Sequence, residues 1–105
     1  MKITFIGTSA GTEPMAGKRH SSFAVEYRGA VYWFDTGEAC AYHGYLAGID
    51  IMATRAIFIT HRHTDHTGGL PMLVWNIRKL NNTSKDPAGR ISNKHFRLIL
   101  PVPHI

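Results

Sequence analysis

Six residues constrain this chain more than any others: His61-Arg62-His63-Thr64-Asp65-His66, set between an apolar run and an amphipathic stretch. Before them, Ala56-Ile57-Phe58-Ile59-Thr60 is β-prone and has no polar face, which predicts a strand covered on both sides. After them, Gly68-Gly69-Leu70-Pro71 opens a helix, with Pro71 in the first turn, where a missing N–H costs nothing. Leu70, Leu73, Val74, Ile77 and Leu80 then recur at helical spacing and form one apolar stripe. The segment is therefore a strand, a turn and a helix, with three imidazoles and a carboxylate gathered at the turn.

The other elements fit around that unit. Ile3 to Ile6 read as a first strand that ends at Gly7-Thr8-Ser9-Ala10-Gly11, followed by a loop to Arg19. Phe23, Val25 and Tyr27 alternate with polar or small residues, and Arg28-Gly29 turns the chain into Ala30-Val31-Tyr32-Trp33-Phe34, a hairpin. Residues 39–47 predict a short helix ending near Gly48, residues 81–94 a polar loop, and residues 96–100 a last strand closed by Pro101 and Pro103. Strands alternating with helices make an α/β layer structure.

A chain of 105 residues suffices for one small domain, and 44% hydrophobic against 18% charged residues excludes a disordered one. No apolar run approaches the roughly 18 residues of a membrane span. The N-terminus resembles a signal peptide only until Gly7 and Thr8 interrupt it, so it reads as a strand of a cytoplasmic protein. The single cysteine, Cys40, excludes an internal disulfide and a cysteine-based zinc knuckle, and reads as a small buried thiol.

Neutral imidazole and carboxylate are ligands for Zn²⁺, Mn²⁺ or Fe²⁺. In extended backbone His61 and His63 point to the same side and can grip one ion, while Asp65 and His66 follow the turn and can aim at a second point. The alternative, four polar residues capping a strand and a helix without metal, leaves a histidine cluster that nothing neutralises. The net charge is +5, and Arg78, Lys79, Lys85, Arg90, Lys94 and Arg97 are opposed only by Asp86. That bias suits phosphate-bearing substrates, or else marks a solvated loop.

Thr60-His61-Arg62-His63-Thr64-Asp65-His66-Thr67-Gly68-Gly69-Leu70-Pro71 resembles the signature of the metallo-β-lactamase-fold hydrolases. Ile3-Thr4-Phe5-Ile6-Gly7-Thr8-Ser9-Ala10-Gly11 and Phe34-Asp35-Thr36-Gly37-Glu38-Ala39 resemble, more narrowly, the ribonuclease Z and phosphodiesterase branch. Leu98-Ile99-Leu100-Pro101 resembles that branch's strand before a Gly-Pro turn. The resemblance implies the N-terminal half of an αββα sandwich, a mixed sheet with flanking helices, as one partial domain over residues 1–105. It implies two divalent ions, Zn²⁺ first and Mn²⁺ or Fe²⁺ as alternatives, with His61 and His63 on one and Asp65 and His66 on the other. Asp65 would also hold or deprotonate the attacking water, and Asp35 would orient a ligand histidine.

The resembling family completes its two sites with a histidine, a bridging aspartate and a last histidine further downstream. His95 and His104 lie in the wrong context to replace them. The chain is accordingly expected to be half of a hydrolase, inactive alone, and to self-associate or require a C-terminal half. His20 reads as a surface loop residue and His43 as packing in the short helix. Three functions compete: hydrolysis of phosphodiesters, in RNA or a small molecule; hydrolysis of a thioester, lactone or β-lactam; and a non-catalytic fragment that binds nucleic acid or a partner. Redox chemistry on a di-iron site is disfavoured, because that branch of the family usually carries Glu where this chain has His63.

Overall fold

The computed structural model describes residues 1–11, 13–83 and 96–101. Five strands form one sheet in chain order: β1 (Lys2–Gly7), β2 (Ser22–Tyr27), β3 (Ala30–Phe34), β4 (Thr54–Phe58) and β5 (Arg97–Ile99). The first three are antiparallel and the last two add in parallel, so the sheet is mixed. The β2–β3 hairpin turns on Arg28 and Gly29, both at positive φ (49° and 76°), as a two-residue primed turn requires.

Each parallel step is bridged by helix. Helix α1 (Cys40–Leu46) and a short 3₁₀ turn at Ile51–Ala53 lie between β3 and β4. Helix α1 stops where Gly48 takes φ 86°, the left-handed residue that commonly ends a helix. A single turn, α2 (Thr64–Thr67), and the longer α3 (Leu70–Thr83) follow β4. Helix α3 runs three residues past the apolar stripe into the stretch expected to be loop. Once a helix is nucleated each further residue adds a hydrogen bond, and Asn or Thr oppose this by only about 0.7 kcal/mol. Residues 84–95, including His95, and residues 102–105, including His104, lie outside the described residues.

The helices cover one face of the sheet. Ile6, Ala24, Val31, Trp33, Ile57 and Ile59 point into it and meet Cys40, Ala41, Leu73 and Ile77. Trp33 is wholly buried and donates its indole N–H to Thr54 Oγ1 at 2.9 Å, satisfying two polar groups inside the core. That bond draws Thr54 into the sheet, so β4 begins two residues before the expected Ala56 and pairs through Phe58. Ile59 still donates its N–H to the Ile99 carbonyl.

The opposite face carries a row of aromatic side chains in register, Phe5, Phe23, Phe34 and Phe58, ending on Ile99. Their ring centroids are 5.9, 4.9 and 4.9 Å apart. Ala56 and Ile57, on opposite faces of β4, are both buried, as expected of a strand covered on both sides, while the ends of the row are open, with Phe5 69% exposed and Ile99 41%. Among the described residues no helix is long and apolar enough to cross a membrane.

Candidate metal centre

The site forms at the C-terminal ends of β3 and β4, where the two strands release their chains side by side. Asp35 leaves β3 in the left-handed region (φ 59°), which Asp tolerates better than most residues, and its N–H stays on the Phe58 carbonyl. Thr36 then donates its N–H to the His66 carbonyl, Gly69 donates to the Thr36 carbonyl, and Gly37 donates to the Ser21 carbonyl. These bonds tie the loop after β3 to the turn that carries the histidines. Gly69 must be glycine, because a Cβ there would meet the Gly37 carbonyl oxygen and lie 3.0 Å from Cys40 Sγ. Cys40 is buried, as expected, and burial pushes its thiol up to about 12.

The buried Asp35 carboxylate accepts three hydrogen bonds. Oδ1 takes the Thr60 N–H at 2.8 Å. Oδ2 takes the Thr60 hydroxyl at 2.8 Å and faces His66 Nδ1 at 2.8 Å. An ionised carboxylate only accepts, so the proton of His66 belongs on Nδ1 and its Nε2 keeps a lone pair. The same logic extends one step further. The Thr60 hydroxyl spends its proton on Asp35 and lies 3.0 Å from His61 Nδ1, so it accepts from that nitrogen, and His61 too presents a bare Nε2. One buried carboxylate thus sets the tautomers of two histidines, one directly and one through a hydroxyl.

The residues singled out from the sequence come together here. His61, His63 and Asp65 each offer a ligand atom, all within 4.8 Å of one another. The His61 ring stands 4.8 Å from that of His63 and 4.1 Å from that of His66, centroid to centroid. Asp65 is 7% exposed, and its Oδ2 accepts the Gly11 N–H at 3.2 Å and lies 3.3 Å from His66 Nε2. Two electron-pair donors facing each other repel unless a proton or a cation lies between them. Donors on one tetrahedral ion with bonds of about 2.0–2.1 Å stand about 3.4 Å apart, so this spacing fits a shared cation.

Two contributors were missed in the sequence. Thr60 was read only as the end of a strand; its signal was a hydroxyl placed directly before the first histidine. Gly11, 54 positions away from Asp65, gave no local signal. His20 and His43 are half-buried and line a separate cavity of about 310 Å³ with Ser9, Arg19 and Glu38. His20 Nδ1 stands 4.0 Å from Glu38 Oε2, and its backbone packs against Gly7 and Gly37, so it is more enclosed than a surface loop residue.

Comparison with known proteins places this geometry. The family model described as anti-Pycsar protein Apyc1 matches residues 1–88. Ribonuclease Z of Methanothermobacter thermautotrophicus is 40% identical over 74 residues, covering 70% of this chain and 24% of that protein. Ribonuclease Z of Methanococcus maripaludis is 39% identical over 77 residues, covering 73% of this chain and 25% of that protein. The chain spans about a quarter of the length of these curated relatives. Among solved structures, the short form of human tRNase Z superposes with a TM-score of 0.71 at 25% identity, over 95% of this chain and 43% of that one. The metallo-β-lactamase-fold protein YhfI of Bacillus subtilis gives 0.64 at 17% identity, over 96% and 45%, a likeness of fold.

Proposed function

The chain belongs to the anti-Pycsar protein Apyc1 family and has the metallo-β-lactamase fold, and from that premise we propose that its site serves the metal-dependent hydrolysis of phosphodiester bonds. The observation that carries the proposal is the donor set at the ends of β3 and β4: two imidazole Nε2 atoms freed by Asp35, a third imidazole, and a buried carboxylate. Relatives named ribonuclease Z support a phosphodiester as the bond cleaved, in RNA or in a smaller molecule.

His61, His63, Asp65 and His66 would hold two divalent ions, with zinc the first candidate for this ligand chemistry. When bound, such ions supply Lewis-acid polarisation of a phosphoryl oxygen and make water acidic enough to attack near neutral pH. The chain's own residues do the rest. Asp35 fixes the proton on His66 Nδ1 and, through Thr60, on His61 Nδ1, and so orients both rings. Both described contacts of Asp65 engage Oδ2, which leaves Oδ1 to take the proton of the attacking water. Among the described residues, four donors shared by two ions leave each short of the three protein ligands usual in a catalytic site, so metal binding by this set alone is expected to be weak.

The test is hydrolysis by the native protein purified from its own cells, comparing bis(p-nitrophenyl) phosphate with a thioester and a lactone. The phosphodiester is expected to react fastest. Asp65→Ala is expected to lower kcat by at least about 100-fold with a smaller change in KM, because a proton acceptor acts in the transition state. Faster cleavage of the thioester or lactone, or an unchanged kcat in the variant, would overturn the proposal.

A further inference from the structure

The segment from Ile3 to Gly11 stood out in the sequence, yet the chemistry of the metal centre gives it no part. Its glycines show how it reaches the site. Gly7 leaves β1 against the main chain of Arg19 and His20, where a Cβ would collide with the His20 carbonyl. That close approach lets Ser9 donate its N–H to the Arg19 carbonyl at 2.8 Å, while the Ser9 carbonyl accepts the Ser21 hydroxyl at 3.3 Å. Arg19 reaches back from Nη1 to the Ile6 carbonyl at 3.3 Å. The Ser21 carbonyl accepts the Gly37 N–H at 2.9 Å, and Gly37 lies in the loop after β3 that begins at Asp35. The turn after β1 is therefore fastened at its base to the framework that holds the histidines.

Two residues beyond Ser9 the chain reaches Gly11 at φ 78°, a backbone that an L side chain opposes. In this conformation its N–H meets Asp65 Oδ2 at 3.2 Å, across 54 positions of sequence. Asp65 is buried. With the His66 proton on Nδ1, the Gly11 amide is the one hydrogen-bond donor to Asp65 among the described residues. The last torsion of an Asp side chain has broad wells, so an unheld carboxylate turns and exchanges the places of Oδ1 and Oδ2. Each oxygen has two lone pairs. Gly11 takes one pair of Oδ2 and leaves the other for the 3.3 Å gap between Oδ2 and His66 Nε2.

We propose that Gly11 is a positioning residue of the metal centre: its N–H pins Asp65 Oδ2 toward the ion held with His66 and keeps Oδ1 clear for the attacking water. This rests on the metal-dependent hydrolysis read from the donor set and deepens it, because the loop after β1 then takes part in the reaction. Gly7 and Ser9 build the base of that loop, and Gly11 delivers the contact.

Removing one N–H and little else tests the proposal. The 105-residue chain is assembled by native chemical ligation between Ala39 and Cys40, with glycolate in place of Gly11, so that an ester replaces the amide. Competition with a chromophoric chelator then measures Zn²⁺ affinity. The ester is expected to bind zinc about 10- to 100-fold more weakly than the parent, the loss that follows removal of one partner behind a metal ligand. D-Alanine at position 11 keeps the N–H and suits a positive φ, so that chain should bind as the parent does. Gly11→Ala sets an L side chain against that φ and should lose affinity as the ester does. Before metal is added, the Gly11 amide proton of the parent should exchange slowly with solvent and lose that protection in Asp65→Ala. Circular dichroism of each chain checks the fold. Equal zinc affinity in parent and ester, weakened binding with D-alanine, or equal exchange of the Gly11 amide in parent and Asp65→Ala would each overturn the role of Gly11 and leave the metal reading standing. Absence of zinc binding by the parent would overturn both.

Discussion

Replacing Asp35 with Asn isolates the role of one charge. The change preserves size, and Asn tolerates the φ of 59° as Asp does, so the backbone should stay in place. Asn Oδ1 can keep the Thr60 N–H that now lies 2.8 Å away. Its NH₂ group, however, then replaces the oxygen that faces both the Thr60 hydroxyl and His66 Nδ1. Two acceptor positions become donors. His66 relieves the clash by moving its proton to Nε2, which removes the lone pair meant for the metal, and the Thr60 hydroxyl must turn away from its bond with His61. Losing such an orienting partner typically costs 10- to 100-fold in metal affinity, or about 1.4–2.7 kcal/mol. Competition with a chromophoric chelator for Zn²⁺ at neutral pH measures this loss, and ¹⁵N spectra of the imidazole rings read the tautomer of His66. Thr60→Val removes only the relay to His61 and should cost less. The double variant should lose less than the sum of the two, because both act through Oδ2 of one carboxylate. Zinc affinity within twofold of the parent in Asp35→Asn, with His66 still protonated on Nδ1, would refute this reasoning.

Gly69→Ala should lower stability by about 1–3 kcal/mol in a denaturant titration, because the new methyl group meets the Gly37 carbonyl and Cys40 Sγ in a packed corner. Cys40 makes stability depend on pH in a defined direction. Its folded-state value is raised to about 12 from an ordinary 9.0, so the folded chain holds the thiol proton more tightly than the unfolded chain. Its contribution is complete below about pH 9 and is lost as pH rises toward about 12. Urea midpoints should therefore fall between about pH 8 and about pH 10.5 more steeply in the parent than in Cys40→Ala. Phe5→Lys places a charge on the most exposed ring of the aromatic row and should shift sedimentation of the 105-residue chain toward monomer, since open apolar faces recruit other chains.

Local pattern made much of the fold readable in the sequence. The hairpin at Arg28-Gly29, the helix before Gly48 and the stripe from Leu70 to Leu80 each rest on side chains within a few residues of one another. The strand before the histidines was displaced by two residues, because a hydrogen bond from Trp33, 21 positions earlier, recruits Thr54. The site divides in the same way. His61, His63, Asp65 and His66 announce themselves by spacing, and Asp35 by the segment that resembles a known branch. Thr60 as a relay and Gly11 as a donor to Asp65 depend on how distant loops meet, which no local pattern encodes.

The central claim is that His61, His63, Asp65 and His66 hold metal. Isothermal titration of Zn²⁺ into the 105-residue chain, beside the double variant His61→Ala with His63→Ala, tests it most directly. The account predicts saturable binding by the parent, weaker than in a complete catalytic site, and its loss in the variant. Equal binding by both would contradict it.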